Sequence, residues 1–299
     1  VEHIDNNIPW TAWIENSALP SEFVGEIEYK KSKRPANIEM LLSVSVLNLD
    51  RADLANDADG NPYNYDSINS PIISDAYVKH LDYLIGEFNP TYVLISIESN
   101  EFLINSPEKW DDFKLLMGEV RRQIGAAHPD IKISESVTLH NLTTPNVPDI
   151  EEYRNEIFAY VDHYEFAAIS FYPFFNGYND EAGFQEALDL INNRISKPIA
   201  FAETSHIAED LKVQSFNLDI QGNESEQNSY MQTLLKNAQE KDYLFVIWWA
   251  HRDFDELWET FPSEVKDLGR LWRDTGILDE NGNQREAYNS WQAAYQNSK

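Results

Sequence analysis

Residues 198–206 read Pro198-Ile-Ala-Phe-Ala-Glu203-Thr-Ser-His206, a short apolar run that stops on a carboxylate. A run of this length, opened by proline and too short for helical periodicity, has the character of a fully buried strand. A glutamate at its end is poorly solvated, so its presence needs a chemical reason. The same pattern occurs earlier, in Tyr92-Val-Leu-Ile-Ser-Ile-Glu98-Ser-Asn100-Glu101. Further apolar runs at 1–4, 40–47, 131–138, 166–172 and 243–249 also read as strands. Between them, 74–88, 111–124, 150–161, 183–194 and 224–239 carry apolar residues at helical spacing. In the first of these the stripe is Ala76, Val78, Leu81, Leu84 and Ile85. Asn223 and Ser225 are candidate N-caps for the last.

Strands alternating with helices predict parallel βαβ units. The loops that follow strands are longer than those that lead into them, and 48–71, rich in Asn, Asp, Pro and Tyr, is the longest. Long loops of that kind build the active face of a (β/α)8 barrel, where catalytic groups stand at strand ends. A doubly wound sheet would instead need a glycine-rich phosphate loop, and none of the 11 glycines supplies one. The expected fold class is therefore α/β, a (β/α)8 TIM barrel, built as a single catalytic domain over 1–299. Seven strands are legible rather than eight, so the first barrel strand is expected to be incomplete, missing, or hidden in the N-terminal stretch.

Lys+Arg 23 against Asp+Glu 51 gives a formal net charge of −28. Such a field repels phosphate backbones and anionic membranes, so neither nucleic acid nor membrane is an expected partner. No apolar span approaches the ~18 residues of a transmembrane helix. The chain has no cysteine, which excludes disulfides, thiolate metal sites and cysteine nucleophiles. That is compatible with a secreted or periplasmic bacterial protein, although no signal peptide is present at residue 1.

Three strand-to-strand steps separate Glu98 from Glu203, which in a ring of eight sets them on opposite sides of the mouth. Two facing carboxylates are what glycosidic cleavage requires: one protonates the leaving oxygen and the other attacks the anomeric carbon. Tyr172 ends the preceding strand, where its hydroxyl is suited to hold the Glu203 carboxylate. Trp248 and Trp249 alternate on one strand, so one indole faces the mouth and can floor a sugar while the other faces the helices. Trp10, Trp13, Phe174, Phe175 and Tyr178 extend that aromatic platform. His140 and His206 follow strand ends and are candidates for sugar hydroxyls. No histidine pair has the His-Glu-x-x-His spacing of a metal site. The Asn56–Asn61 turn looks like a calcium loop but has Ala55 where the first ligand belongs, and reads as a solvated turn.

These segments resemble clan A glycoside hydrolases and, within the clan, are most similar to endo-β-1,4-galactanases, from about residue 40 to the C-terminus. The stretch 162–177, with Ala-Ile-Ser-Phe-Tyr-Pro-Phe-Phe-Asn-Gly, is similar to the sixth strand of that family. Lys-Pro-Ile-Ala-Phe-Ala-Glu203-Thr is similar to the seventh, where the family keeps its nucleophile. Glu226-Gln227 with Leu234 and Leu235 resembles the next helix, and Thr275-Gly-Ile-Leu-Asp-Glu-Asn-Gly-Asn with Tyr288 and Trp291 resembles the closing turn and helix. The fourth strand departs from the pattern, because Ile97 stands where the clan carries Asn before its acid/base glutamate. Aligning Asn100 with a second family Asn puts the acid/base on Glu98; the other register reads Asn100-Glu101 as the Asn-Glu pair.

The resemblance implies a retaining, endo-acting hydrolase of a neutral β-galactan or other plant or algal glycan. Glu203 would be the nucleophile and Glu98 the acid/base. Asn100, Tyr172, His206, Trp248, Trp249, Trp10 and His140 would bind substrate, with no cofactor and no metal, in a monomer. Ile97 also keeps open a different class, a glycan-binding barrel without catalysis.

Overall fold

The computed structural model describes residues 1–4, 7–35 and 38–297. In chain order its strands are β1 Glu2–Ile4, β2 Leu41–Val44, β3 Tyr92–Leu94, β4 Lys132–Ser134, β5 Ser136–Thr138, β6 Ala167–Phe171, β7 Ile199–Thr204, β8 Leu211–Val213, β9 Leu218–Ile220 and β10 Val246–Trp248. The helices are α1 Trp10–Glu15, α2 Ser21–Lys33, α3 Pro71–Phe88, α4 Ser99–Asn105, α5 Trp110–Ala127, α6 His140–Thr143, α7 Ile150–Val161, α8 Glu181–Arg194, α9 Glu224–Glu240, α10 Asp255–Glu259, α11 Ser263–Arg270 and α12 Glu286–Asn297. The chain falls into two compact units, one of 1–138 with 146–168, the other of 139–145 with 169–299.

In the first unit β1, β2, β3 and β4 lie side by side in that order, each pair parallel. The N-terminal stretch therefore does carry a strand, with Glu2 opposite Leu42 and Ile4 opposite Val44. Every residue of β2 is buried, as expected of a parallel sheet covered on both faces. The run expected at 131–138 is two segments, β4 and β5, interrupted at Glu135. Helix α3 begins at Pro71, three residues before the expected start at 74, because Ser70 accepts from the Ile73 amide and Pro71 occupies the first turn. It ends on Asn89 in the left-handed region. Asp149 caps α7 in the same way through the Glu152 amide, at 2.9 Å.

In the second unit β7 lies between β6 and β10, and β10 runs parallel to β7 with Val246 opposite Phe201. Asn223, not Ser225, caps α9, accepting from the Glu226 amide at 2.9 Å. β8 and β9 form an antiparallel hairpin. That hairpin contributes Leu211 and Val213 to a buried cluster with Tyr172, Phe174, Ile207 and Leu271. Arg285, 3% exposed, is ion-paired to buried Asp253 and anchors the segment before α12. No helix among the described residues is long and apolar enough to cross a membrane.

Candidate active site

Within the first unit the parallel ladder of β3 and β4 continues past the strand ends, through Ile95 N to Ser134 O at 2.9 Å and Ser136 N to Ser96 O at 3.1 Å. It stops at Glu98, whose backbone turns into the left-handed region (φ 57°, ψ 42°) to open α4. That conformation costs a non-glycine residue about 1–2 kcal/mol. The Glu98 amide recovers about 1 kcal/mol of it by donating to Ser136 Oγ at 2.8 Å. The carboxylate is one-fifth exposed, and Arg51 reaches Oε2 at 3.3 Å from a nearly buried side chain. Arg51 is the only basic residue of the 48–71 loop. A lone cation in an otherwise acidic loop after a strand was the signal that could have found it. Glu101 lies in the first turn of α4, its amide donating to the Glu98 carbonyl at 3.0 Å.

Within the second unit Glu203 stands one residue before the end of β7 and is half-buried. Tyr172, the residue after β6, donates its hydroxyl to Glu203 Oε1. The tyrosine ring is held edge-on by Phe174, Phe175 and Trp272, each with its centroid 5.9 Å away. Thr204, next to Glu203, bonds through its hydroxyl to the Phe171 carbonyl and to Tyr230. The β6–β7 junction is thereby fixed on both sides of the carboxylate.

The remaining predicted residues divide sharply. Trp249 is 37% exposed. Trp248 is buried, its indole N–H donating to the Thr275 carbonyl at 3.0 Å and its ring set against Tyr230. Trp248 is therefore a packing residue, a correction to its reading as a sugar contact. Trp10 is corrected likewise: it has no exposed surface, and its N–H donates to the Ala55 carbonyl at 2.8 Å. Asn100 is also fully buried, and protein groups occupy both ends of its amide. Its Oδ1 accepts from the Thr138 amide and hydroxyl, and its Nδ2 donates to the Thr138 carbonyl and Tyr153. Asn100 welds α4 to β5 and is not placed to meet a sugar. His206 is 1% exposed, both ring nitrogens face backbone carbonyls, and burial pushes its imidazole below the usual range. It is a core histidine. His140 opens α6 with its ring edge-on to Phe175 at 5.7 Å.

Two sets of carboxylates among the described residues come close enough to share a cation: Glu209, Asp253 and Glu280, and Asp253, Asp255 and Asp274. Asp253, common to both, already accepts from Arg285 and from the Gly276 amide. In the 56–61 turn, Asp59 accepts from the Asn61 amide and side chain, which closes the turn on itself.

The profile of glycosyl hydrolase family 53 matches residues 78–289. Among solved structures, the GH53 catalytic domain of Ignisphaera aggregans is similar with a TM-score of 0.61 at 17% identity, covering 98% of this chain and 84% of that one. Fungal β-1,4-galactanases give a TM-score of 0.61 at 15% identity, over 98% of this chain and 86% of theirs. A GH5_18 protein of Bifidobacterium longum, solved with Manβ1-4GlcNAc, gives 0.64 at 12% identity, over 99% and 78%. No curated protein matches the chain. At these identities the structural likeness speaks to fold, and the fold is the (β/α)8 barrel, with the parallel strands and intervening helices described above.

Proposed function

The chain belongs to glycosyl hydrolase family 53, and from that premise we propose that it cleaves a β-galactan or related plant or algal polysaccharide internally, with retention of configuration. Glu203 attacks the anomeric carbon while Glu98 gives its proton to the departing glycosidic oxygen. This leaves a glycosyl ester on Glu203 and an ionised Glu98. Water then attacks the same carbon, its proton passes to Glu98, and the Glu203 carboxylate is released.

The observation that carries this reading is the hydrogen bond from Tyr172 to Glu203 at the end of β7. A carboxylate at a strand end, aimed by a tyrosine that packing holds rigid, is preorganised for attack rather than left to rotate. Trp249 supports a sugar substrate, since an exposed indole suits the flat C–H face of a pyranose. A chain with a formal net charge of −28 favours a neutral glycan over an anionic one. A polysaccharide too large to cross a membrane fits an enzyme working in the periplasm or outside the cell.

The test is hydrolysis of a polysaccharide panel headed by β-1,4-galactan, with the first-formed product anomer followed by NMR. Wild type is expected to cleave with retention, and Glu203→Gln and Glu98→Gln to lose activity. Full activity in Glu98→Gln with loss in Glu101→Gln would move the acid/base role to Glu101. Binding of a panel member without cleavage would place the chain among non-catalytic glycan binders.

A further inference from the structure

Glu135 interrupts the run of β4 and β5 and is 1% exposed. Three hydroxyl groups serve its carboxylate. Ser99 donates to Oε2, and Tyr160 and Tyr164 both donate to Oε1. Tyr160 packs edge-on against Trp110, and Arg121 lies over the Tyr164 ring at 5.3 Å. Burying a carboxylate in this way is expensive, and an apolar side chain of the same volume is often neutral or better for stability. A buried glutamate supplied with three donors is therefore better explained by the geometry it specifies than by stability.

That geometry concerns the residue next to Ser99. Three successive residues at the start of α4 are each tied to the 135–138 segment. The Glu98 amide donates to Ser136 Oγ, the Ser99 hydroxyl donates to Glu135, and the Asn100 side chain exchanges hydrogen bonds with the Thr138 backbone. Two of the three continue outward to α7: Asn100 also donates to Tyr153, and Glu135 accepts from Tyr160 and, just past that helix, from Tyr164. The left-handed backbone of Glu98 lies between the first tie and the second. Its carboxylate direction follows from whether that turn is held.

We propose that Glu135 is a positioning residue for Glu98, acting through Ser99 to hold the turn that aims the acid/base carboxylate. This rests on Glu98 being the acid/base. Loosening the turn displaces the proton donor without removing it, and displacements of about 1 Å can cost ~100-fold in rate. The loss falls on substrates whose leaving oxygen needs a proton. An activated aryl glycoside, whose phenolate departs unprotonated, is spared in its first step.

The experiment compares Ser99→Ala, Ser99→Thr and Glu135→Gln with wild type and Glu98→Gln on two substrates. One is the polysaccharide that wild type cleaves, β-1,4-galactan on the present reading. The other is the dinitrophenyl glycoside of the same disaccharide. For Ser99→Ala and Glu135→Gln, kcat/KM on the polysaccharide is expected to fall about 10- to 100-fold. On the aryl glycoside the expected loss is under about 3-fold, with KM for the polysaccharide little changed. Ser99→Thr keeps the hydroxyl and is expected to retain most activity. Ser99→Ala removes one oxygen atom, so it keeps the test open should Glu135→Gln fail to fold. Equal losses on both substrates, or none on either, would overturn the inference. If Glu98→Gln shows the leaving-group dependence and the Ser99 and Glu135 variants do not, the positioning role alone fails. If Glu98→Gln shows no such dependence, the acid/base reading fails and takes this inference with it.

Discussion

The hydroxyl of Tyr172 donates to Oε1 of Glu203, so the residue that leaves β6 holds the carboxylate near the end of β7. The tyrosine cannot swing away, because Phe174, Phe175 and Trp272 enclose its ring and only 2% of it is exposed. Tyr172→Phe keeps that packing and removes one oxygen. The expected result is a fall in kcat of about 10- to 100-fold with KM within about twofold, since the lost contact orients Glu203, the proposed nucleophile, rather than the substrate. Steady-state kinetics on the polysaccharide that wild type cleaves would check it; an unchanged kcat would remove Tyr172 from the site.

The two adjacent tryptophans are expected to behave oppositely. Trp249→Ala should raise KM about 5- to 10-fold, by loss of apolar sugar contact, and leave the thermal midpoint nearly unchanged. Trp248→Ala should destabilise the fold by about 3–5 kcal/mol, because it empties a buried site beside Tyr230. Urea titration and kinetics on both variants separate the two effects.

Asn100 is expected to register in stability before it registers in substrate affinity. Asn100→Ala leaves the buried Thr138 amide and carbonyl without their side-chain partner, and an unsatisfied buried group costs about 1–3 kcal/mol. A total loss of about 2–4 kcal/mol is expected in urea unfolding. A stable Asn100→Ala variant with a raised KM would instead return this residue to the substrate.

His80 is expected to make the fold acid-sensitive. It is fully buried on α3, where Nδ1 accepts from the Trp13 indole at 3.2 Å, and burial lowers its pKa to about 3. Its ordinary value is near 6.5. Between these two values the unfolded chain binds a proton that the folded chain does not. The contribution is therefore fully present above pH ~6.5 and is lost as the pH falls towards ~3, with a limiting slope of about 1.4 kcal/mol per pH unit. His80→Phe should flatten the pH dependence of unfolding free energy by about that slope between pH 5.5 and 4. Identical slopes in the two proteins would show that His80 does not titrate on unfolding.

What the sequence alone determined is everything that depends on local pattern. Apolar runs too short for helices, alternating with 3.6-residue stripes, led to parallel βαβ units. The structure departs from that reading in how far the strands extend, in the earlier start of α3 and in the antiparallel β8–β9 hairpin. Glu98 and Glu203 were legible as carboxylates at the ends of such runs, because a charge beside an apolar segment stands out within a few residues. Glu135 carries no local signal inside Ser134-Glu135-Ser136, since its three hydroxyl partners come from positions 99, 160 and 164.

Only the tertiary structure could decide which aromatic and polar residues at strand ends are open to a ligand. Trp248 and Trp249 are adjacent and identical in type, yet one is buried against Tyr230 and the other is 37% exposed. Asn100, His206 and Trp10 look like ligand-binding groups until their partners are seen to be Thr138, backbone carbonyls and Ala55. The physical reason is that burial and hydrogen-bond satisfaction belong to pairs of residues distant in the chain. Periodicity reports only which way a side chain points, and what it meets there is set by segments that the local pattern does not contain.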